Sequence, residues 1–237
     1  MVFGMILAGG IGRRMGAEIP KQYMKIKDKT IIVHTVETFL RNDKLDKVIV
    51  LTPSDWVDYT REIFSREISD LDRVVITEGG ELRNDTIMNG IEYIECNYGL
   101  DDETIVITHD AVRPFVTQKI IDDNIEALAS YTACDTVMPA SDTIVSSRDG
   151  EFISDIPDRA MLYQGQTPQS FRAATFKRLY ESLTEEEKNI LTDAAKVFII
   201  KGEKVGLVEG SSANIKITYP SDLLMAQSIL GGTYGEE

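Results

Sequence analysis

The chain is expected to fold as a single α/β domain over residues 1–237, with a Rossmann-like, mainly parallel sheet, flanking helices and a projecting β-arm. Three observations point there. Short runs of Val, Ile and Leu alternate with longer stretches of helical period. The first such run empties into a glycine-rich loop. No linker, internal repeat or low-complexity tract divides the 237 residues.

The strands expected are Val2 to Leu7, Lys47 to Leu51, Arg73 to Thr77, Thr104 to Thr108 and Cys134 to Pro139. Each is mostly Val, Ile and Leu, as expected of a strand covered on both faces. Between them, Ile32, Val36, Phe39 and Leu40 share one helical face, as do Ile87, Ile91 and Ile94, and again Ile121, Ile125 and Leu128. The alternation breaks at 142–164, where Thr143 to Ser147 and Glu151 to Ser154 flank Arg148-Asp149-Gly150, a hairpin turn signal. An isolated two-stranded ribbon is marginal in water. The arm therefore either packs on a second copy of the chain, giving a homodimer, or folds back on its own domain. Helices follow over Ser170 to Leu183 and Glu185 to Ile200, then strands at Val205 to Val208 and Ala213 to Thr218, and a last helix entered through Pro220.

Composition excludes several classes. Lys and Arg number 25 against 39 Asp and Glu, a net charge of −14, which argues against a general nucleic-acid or anionic-membrane surface. Two cysteines imply neither a disulfide framework nor a catalytic thiol. Met1 to Leu7 is too short for a signal h-region, and no run approaches the ~18 apolar residues of a membrane span. A soluble, cytoplasmic protein is expected.

The chemistry concentrates in Leu7-Ala8-Gly9-Gly10-Ile11-Gly12-Arg13-Arg14-Met15-Gly16, followed by Pro20-Lys21-Gln22. Glycines let backbone N–H groups close on phosphate oxygens, and the loop lies at the carboxyl end of a strand, where open α/β sheets bind ligands. The G-x-G-x-x-x-G spacing is not the dinucleotide fingerprint, and the absence of Gly-Lys-Ser/Thr excludes a Walker A loop. Arg13, Arg14 and Lys21 place three cations within nine residues of an otherwise acidic chain. Such fixed cations suit a triphosphate whose α-phosphorus is attacked.

This opening, with Gly79-Gly80-Glu81-Leu82-Arg83-Asn84-Asp85-Thr86, His109-Asp110-Ala111-Val112-Arg113-Pro114, Gln166-Thr167-Pro168-Gln169 and Asn214-Ile215-Lys216-Ile217-Thr218, resembles the sugar-phosphate nucleotidyltransferases. Specifically, it resembles the cytidylyltransferases that act on methylerythritol 4-phosphate and on ribitol 5-phosphate. The resemblance implies CTP as substrate and Mg²⁺ or another divalent cation, with Arg14, Lys21 and Lys216 as catalytic residues. It places the nucleotide on Leu7, Ala8, Gly9, Gly10 and the Gly80–Thr86 stretch, where Glu81, Leu82, Arg83, Asn84 and Asp85 follow the glycine. It places the acceptor on Asp110, Arg113, Thr143 and Arg159, the metal on Asp110, and Arg159 in the neighbouring subunit's site.

The residues themselves leave alternatives open. Thr86 can cap a helix, Arg113 can pair with Asp110 or reach substrate, and His109 and His34 suit packed or hydrogen-bonded roles. The Ile156 to Arg159 and Tyr163 to Gln169 segments resemble the ribitol members, whose wetter pocket suits extra hydroxyls. The short Gly16 to Pro20 connection instead resembles the methylerythritol members. A non-catalytic nucleotide-binding protein on the same fold is the third reading.

Overall fold

In the computed structural model, which describes residues 1–10 and 19–232, the chain opens with β1 (Val2–Leu7). A small antiparallel ribbon, β2 (Lys25–Ile26) and β3 (Lys29–Thr30), leads into α1 (Ile31–Leu40). There follow β4 (Lys47–Thr52), α2 (Val57–Glu67), β5 (Val74–Glu78), α3 (Arg83–Tyr98), β6 (Ile105–Asp110), α4 (Gln118–Ala127) and β7 (Ala133–Pro139). Then come β8 (Tyr163–Arg172), α5 (Ala173–Glu181), α6 (Glu185–Asn189), α7 (Ala194–Ile200), β9 (Val205–Glu209) and α8 (Pro220–Leu230).

Seven strands form one sheet in the order β5-β4-β1-β6-β8-β7-β9. Every neighbouring pair is parallel except those made by β8, which runs antiparallel to both β6 and β7. Alternation along β1 sends Ile6 to one face and Phe3, Met5 and Leu7 to the other. The first face buries Val36 and Phe39 of α1, Phe64 of α2 and Ile121 of α4. The second buries Ile87 and Ile91 of α3, Phe176 of α5 and Phe198 of α7. Both faces are thus covered, which is why the central strands read as unbroken apolar runs. Among the described residues no helix is long and apolar enough to cross a membrane.

Four expectations need correction. Ser170 to Arg172 belongs to β8 rather than to a helix, so the helix there is only Ala173–Glu181. The strand was obscured because Pro168 lies where β7 and β8 slip register between Asp135 and Val137, and a residue without N–H reads as strand-breaking. The expected helix Glu185 to Ile200 is two helices, Glu185–Asn189 and Ala194–Ile200, and residues 190–193 between them are not helical. Ala213 to Thr218 is not a strand: Ile217 N–H bonds the Val112 carbonyl, but no ladder continues from it. Finally, the arm over 142–164 carries no regular ribbon, only an isolated bridge between Ser146 and Asp155. Asp149 shapes its tip by accepting from the N–H groups of Glu151 and Phe152.

Candidate active site

The carboxyl ends of β1 and β6, with the turn that follows β5, open onto a cavity of about 300 Å³. Its floor is the end of β1 and the loop behind it: Leu7, Ala8, Gly9 and Gly10 all line it. Gln22 fixes that loop by donating from Nε2 to the Ala8 carbonyl at 2.6 Å. One wall is the turn into α3, with Gly80, Glu81, Leu82, Arg83 and Thr86. A Cβ on Gly80 would stand 2.5 Å from Asp85 Cβ and 2.9 Å from Thr86 N, so only glycine lets the chain fold this tightly.

Thr86 holds the same turn. Its hydroxyl oxygen lies 3.0 Å from Gly80 N and 2.9 Å from the Leu82 carbonyl. Asn84 and Asp85, expected on the nucleotide, point elsewhere. Asp85 accepts from Leu82 N–H and Tyr180 Oη–H, and Asn84 Nδ2 donates to the Asp193 carbonyl at 3.4 Å. These two residues build the helix start rather than the cavity wall.

Lys21 lines the cavity while buried, its Nζ donating to the Ile217 carbonyl at 2.9 Å. Arg14 and Arg13 lie outside the described residues. Lys216 enters from the irregular 213–218 segment, which Asn214 anchors by donating to the Thr167 carbonyl at 2.8 Å. At the end of β6, Asp110 meets three cations: Arg83 Nη1 at 2.6 Å from Oδ1, and Lys216 Nζ at 3.0 Å and Arg113 Nε at 3.3 Å from Oδ2. Burial alone would raise the Asp110 pKa, but Arg83, Lys216 and Arg113 together hold it well below the usual carboxylate range. The cluster therefore carries a net charge of about +2, an anion site with its own counter-ion built in.

This cluster is also a seam. A second cavity of about 160 Å³ shares Arg83, Asp110 and Lys216 with the first, and adds Arg113, Gly165, Gln166, Thr167, Gln169, Thr192 and Asp193. Sequence reasoning singled out the Gln166 to Gln169 stretch without assigning its residues to a site, and placed Thr192 and Asp193 inside an expected helix. The signal was the motif itself; the reversed strand β8 and the break between α6 and α7 were needed to show which cavity they face.

His109 is fully buried and ties the two cavities' walls together. A carbonyl only accepts, so Nε2 bears the proton and donates to the Arg113 carbonyl at 3.0 Å, leaving Nδ1 to accept from the Thr167 hydroxyl at 3.0 Å. Thr167 Oγ1 in turn accepts from Asp110 N–H at 3.2 Å. Burial pushes the imidazole down to about 4, so it is neutral and structural. His34 bonds the Ile26 carbonyl at 3.2 Å, also a structural contact.

Thr143 and Arg159 are not brought to either cavity. Both sit on the exposed arm, and Arg159 Nη1 donates to the Ser141 carbonyl at 2.9 Å. A metal on Asp110 would have to displace one of its cationic partners, and among the described residues no group of three or more His, Cys, Asp or Glu could hold a metal ion. The arrangement therefore does not fit a metal ion ligated by Asp110 as it stands.

A glycine-rich strand end, a cationic seam and a second polar cavity suit a nucleotidyltransferase, which joins two phosphorylated substrates. Residues 2–232 match the model of the IspD family, 2-C-methyl-D-erythritol 4-phosphate cytidylyltransferase, and the chain belongs to that family of cytidylyltransferases. It is similar to the ribitol-5-phosphate cytidylyltransferase of Lactiplantibacillus plantarum, 46% identical over 97% of this chain and 98% of that one. It is similar to the ribitol-5-phosphate cytidylyltransferase of Streptococcus pneumoniae, 47% identical over 97% and 99%. Among solved structures it resembles the 4-diphosphocytidyl-2C-methyl-D-erythritol synthase of Anaerococcus prevotii, with TM-score 0.79 and 26% identity over 98% of this chain and 96% of that one. The 2-C-methyl-D-erythritol 4-phosphate cytidylyltransferase of Francisella tularensis superposes with TM-score 0.77 and 28% identity over 95% and 97%.

Proposed function

We propose that the chain transfers the cytidylyl group of CTP to D-ribitol 5-phosphate, giving CDP-ribitol and pyrophosphate, a precursor for teichoic-acid or capsule polymers. The observation that carries this is the Arg83–Asp110–Lys216 seam. One cavity ends and the other begins at the same cations, so a triphosphate in the first and a phosphomonoester in the second would present their phosphates to each other. The acceptor's phosphate oxygen attacks the α-phosphorus; the new phosphoanhydride bond forms as the bond to the β-phosphate breaks and pyrophosphate departs. A phosphomonoester is largely dianionic at neutral pH, so no general base is required, and positioning with charge stabilisation supplies the rate. Lys216 and Lys21, with Arg14, stabilise the charge that develops on the transferring and leaving phosphates. Arg83 and Arg113 hold the acceptor, and Asp110 keeps all three cations of the seam in place.

A bound divalent cation such as Mg²⁺ would neutralise triphosphate charge. The cationic company of Asp110 favours its arriving on the nucleotide's own oxygens. The arm supplies the second half of the site in trans: Phe152, Ile153, Ile156 and Met161 stand 56–79% exposed on it and suit burial against a second copy, which would carry Thr143 and Arg159 to the partner's acceptor cavity. A cytoplasmic setting suits a CTP-consuming enzyme.

Methylerythritol 4-phosphate is the second acceptor to test, because the family description and the solved structures name it. Pyrophosphate release from CTP, with each acceptor offered at matched concentration, decides. A preference for ribitol 5-phosphate supports the reading, preference for methylerythritol 4-phosphate replaces the acceptor, and CTP binding without turnover replaces the enzyme.

A further inference from the structure

Behind the second cavity, β7 carries the Asp135 carboxyl, which Gln169 meets with a side-chain hydrogen bond and one of whose oxygens is left without a partner. Asp135 stands directly opposite Gln169 of β8, and residues opposite each other across an antiparallel pair project from the same face. Gln169 lines the cavity, and its Oε1 accepts from Ala194 N–H at the start of α7. Gly165, two residues before Thr167 on β8, lines the cavity as well. A Cβ placed on Gly165 would point at Asp135 Oδ2 from 3.7 Å, so the missing side chain is what leaves the carboxyl unscreened on that side. Asp135 Oδ1 is buried and has no hydrogen-bond partner. An orphaned oxygen of this kind carries a desolvation cost that a bound polar group would relieve.

The surroundings fix what that group is. Burial first, then the negative charge of Asp193, push the Asp135 carboxyl up to about 7, with Gln169 and Arg83 acting the other way. At neutral pH the group is thus divided between an acceptor and a form that also donates. Hydroxyl groups meet both forms, whereas a methyl group meets neither.

We infer that Asp135 is a specificity-determining residue that reads a hydroxyl of the acceptor's polyol chain, reaching it past the backbone of Gly165. This rests on the acceptor reading above. With the phosphate at the seam, the chain of a linear polyol would extend toward Gly165, Gln169 and Asp193. Losing one such hydrogen bond while stranding its partner costs roughly tenfold or more in kcat/KM.

The test is steady-state pyrophosphate release by the full chain, varying ribitol 5-phosphate, methylerythritol 4-phosphate and CTP in turn. Asp135→Val removes the carboxyl from a strand position that tolerates valine. Gly165→Ala keeps the carboxyl and screens it with a methyl group at ordinary contact distance. The expected result is a loss of tenfold or more in kcat/KM for ribitol 5-phosphate in both variants. The KM for CTP stays within twofold, discrimination between the two acceptors narrows, and Asp135→Asn recovers part of the loss. If Asp135→Val fails to fold, Gly165→Ala decides alone. Wild type active on ribitol 5-phosphate with folded variants within twofold of it overturns this inference and leaves the acceptor reading standing. Wild type silent with ribitol 5-phosphate overturns both.

Discussion

Lys216 Nζ lies 3.0 Å from Asp110 Oδ2, joining a side chain from the irregular 213–218 segment to the last residue of β6. The lysine remains 43% exposed while the carboxylate is only 8% exposed. The charge on Lys216 is therefore presented to both cavities yet held in place from below by a buried anion that Arg83 and Arg113 also share.

Lys216→Met is accordingly expected to leave the fold intact, because Asp110 retains two arginines. Turnover should fall on the order of 10²-fold, the usual cost of deleting one preorganised electrostatic donor. Pyrophosphate release alongside a thermal melt checks this. Near-wild-type turnover would remove Lys216 from the reaction.

Asp110 and Asp135 should affect acid stability with opposite signs. The Asp110 pKa is depressed in the fold, so its contribution is present above the ordinary carboxylate value and is lost as pH falls below about 4. Asp110→Asn should cost roughly 3 kcal/mol at pH 7, since it strands the largely buried Arg113 and the partly buried Arg83, and should flatten the acid limb of the stability curve.

The Asp135 pKa is raised, so stability associated with it is fully present below the ordinary carboxylate value and is lost as pH rises toward about 7. Asp193, Arg83 and Gln169 are the neighbours that set this window. Asp135→Asn should therefore gain stability relative to wild type at pH 8 but not at pH 4, by roughly 1–2 kcal/mol once partial access to the cavity is allowed for. Urea unfolding at the two pH values tests the sign; an equal difference at both pH values would refute it.

Gly80→Ala should raise the KM for CTP and lower stability by roughly 1–3 kcal/mol, because the added Cβ meets the Asp85 Cβ and Thr86 N, which cannot rotate away. An unchanged KM would show that the turn into α3 does not touch the nucleotide.

The arm offers a test of assembly. Replacing Phe152 and Ile153, which are 70% and 62% exposed, with glutamate should yield a monomer in light scattering and abolish turnover. Mixing Arg159→Ala with Lys216→Met protein should restore about a quarter of the activity if each site draws Arg159 from the partner. Two inactive variants that never complement would place Arg159 in its own subunit's chemistry or in none.

The parallel strands and their crossover helices were legible because each is a continuous apolar run or a 3.6-period stripe, a signal carried within a few residues. The Gly80 turn was legible for a similar reason, since backbone closeness demands glycine there. The Tyr163–Arg172 strand was not: its inner half is polar, it contains Pro168, and only pairing with β6 and β7 on either side makes it a strand. The same holds for Ala213 to Thr218, whose β-branched residues look like a strand but whose amides find single partners on a loop.

From sequence alone come the α/β class and the glycine-rich loop, written in short-range spacing and composition, and the family resemblance, whose ordered motifs single out Lys21, Asp110 and Lys216. Tertiary structure decided that Asp110 holds three cations, that two cavities meet at those cations, that Asn84 and Asp85 turn away, and that Asp135 lies behind Gly165, a residue lining the second cavity. Those relationships join residues from β6, α3, β7, β8 and the 213–218 segment that are distant in sequence. Coulomb energy and burial depend on separation in space, a quantity that residue spacing along a chain does not contain.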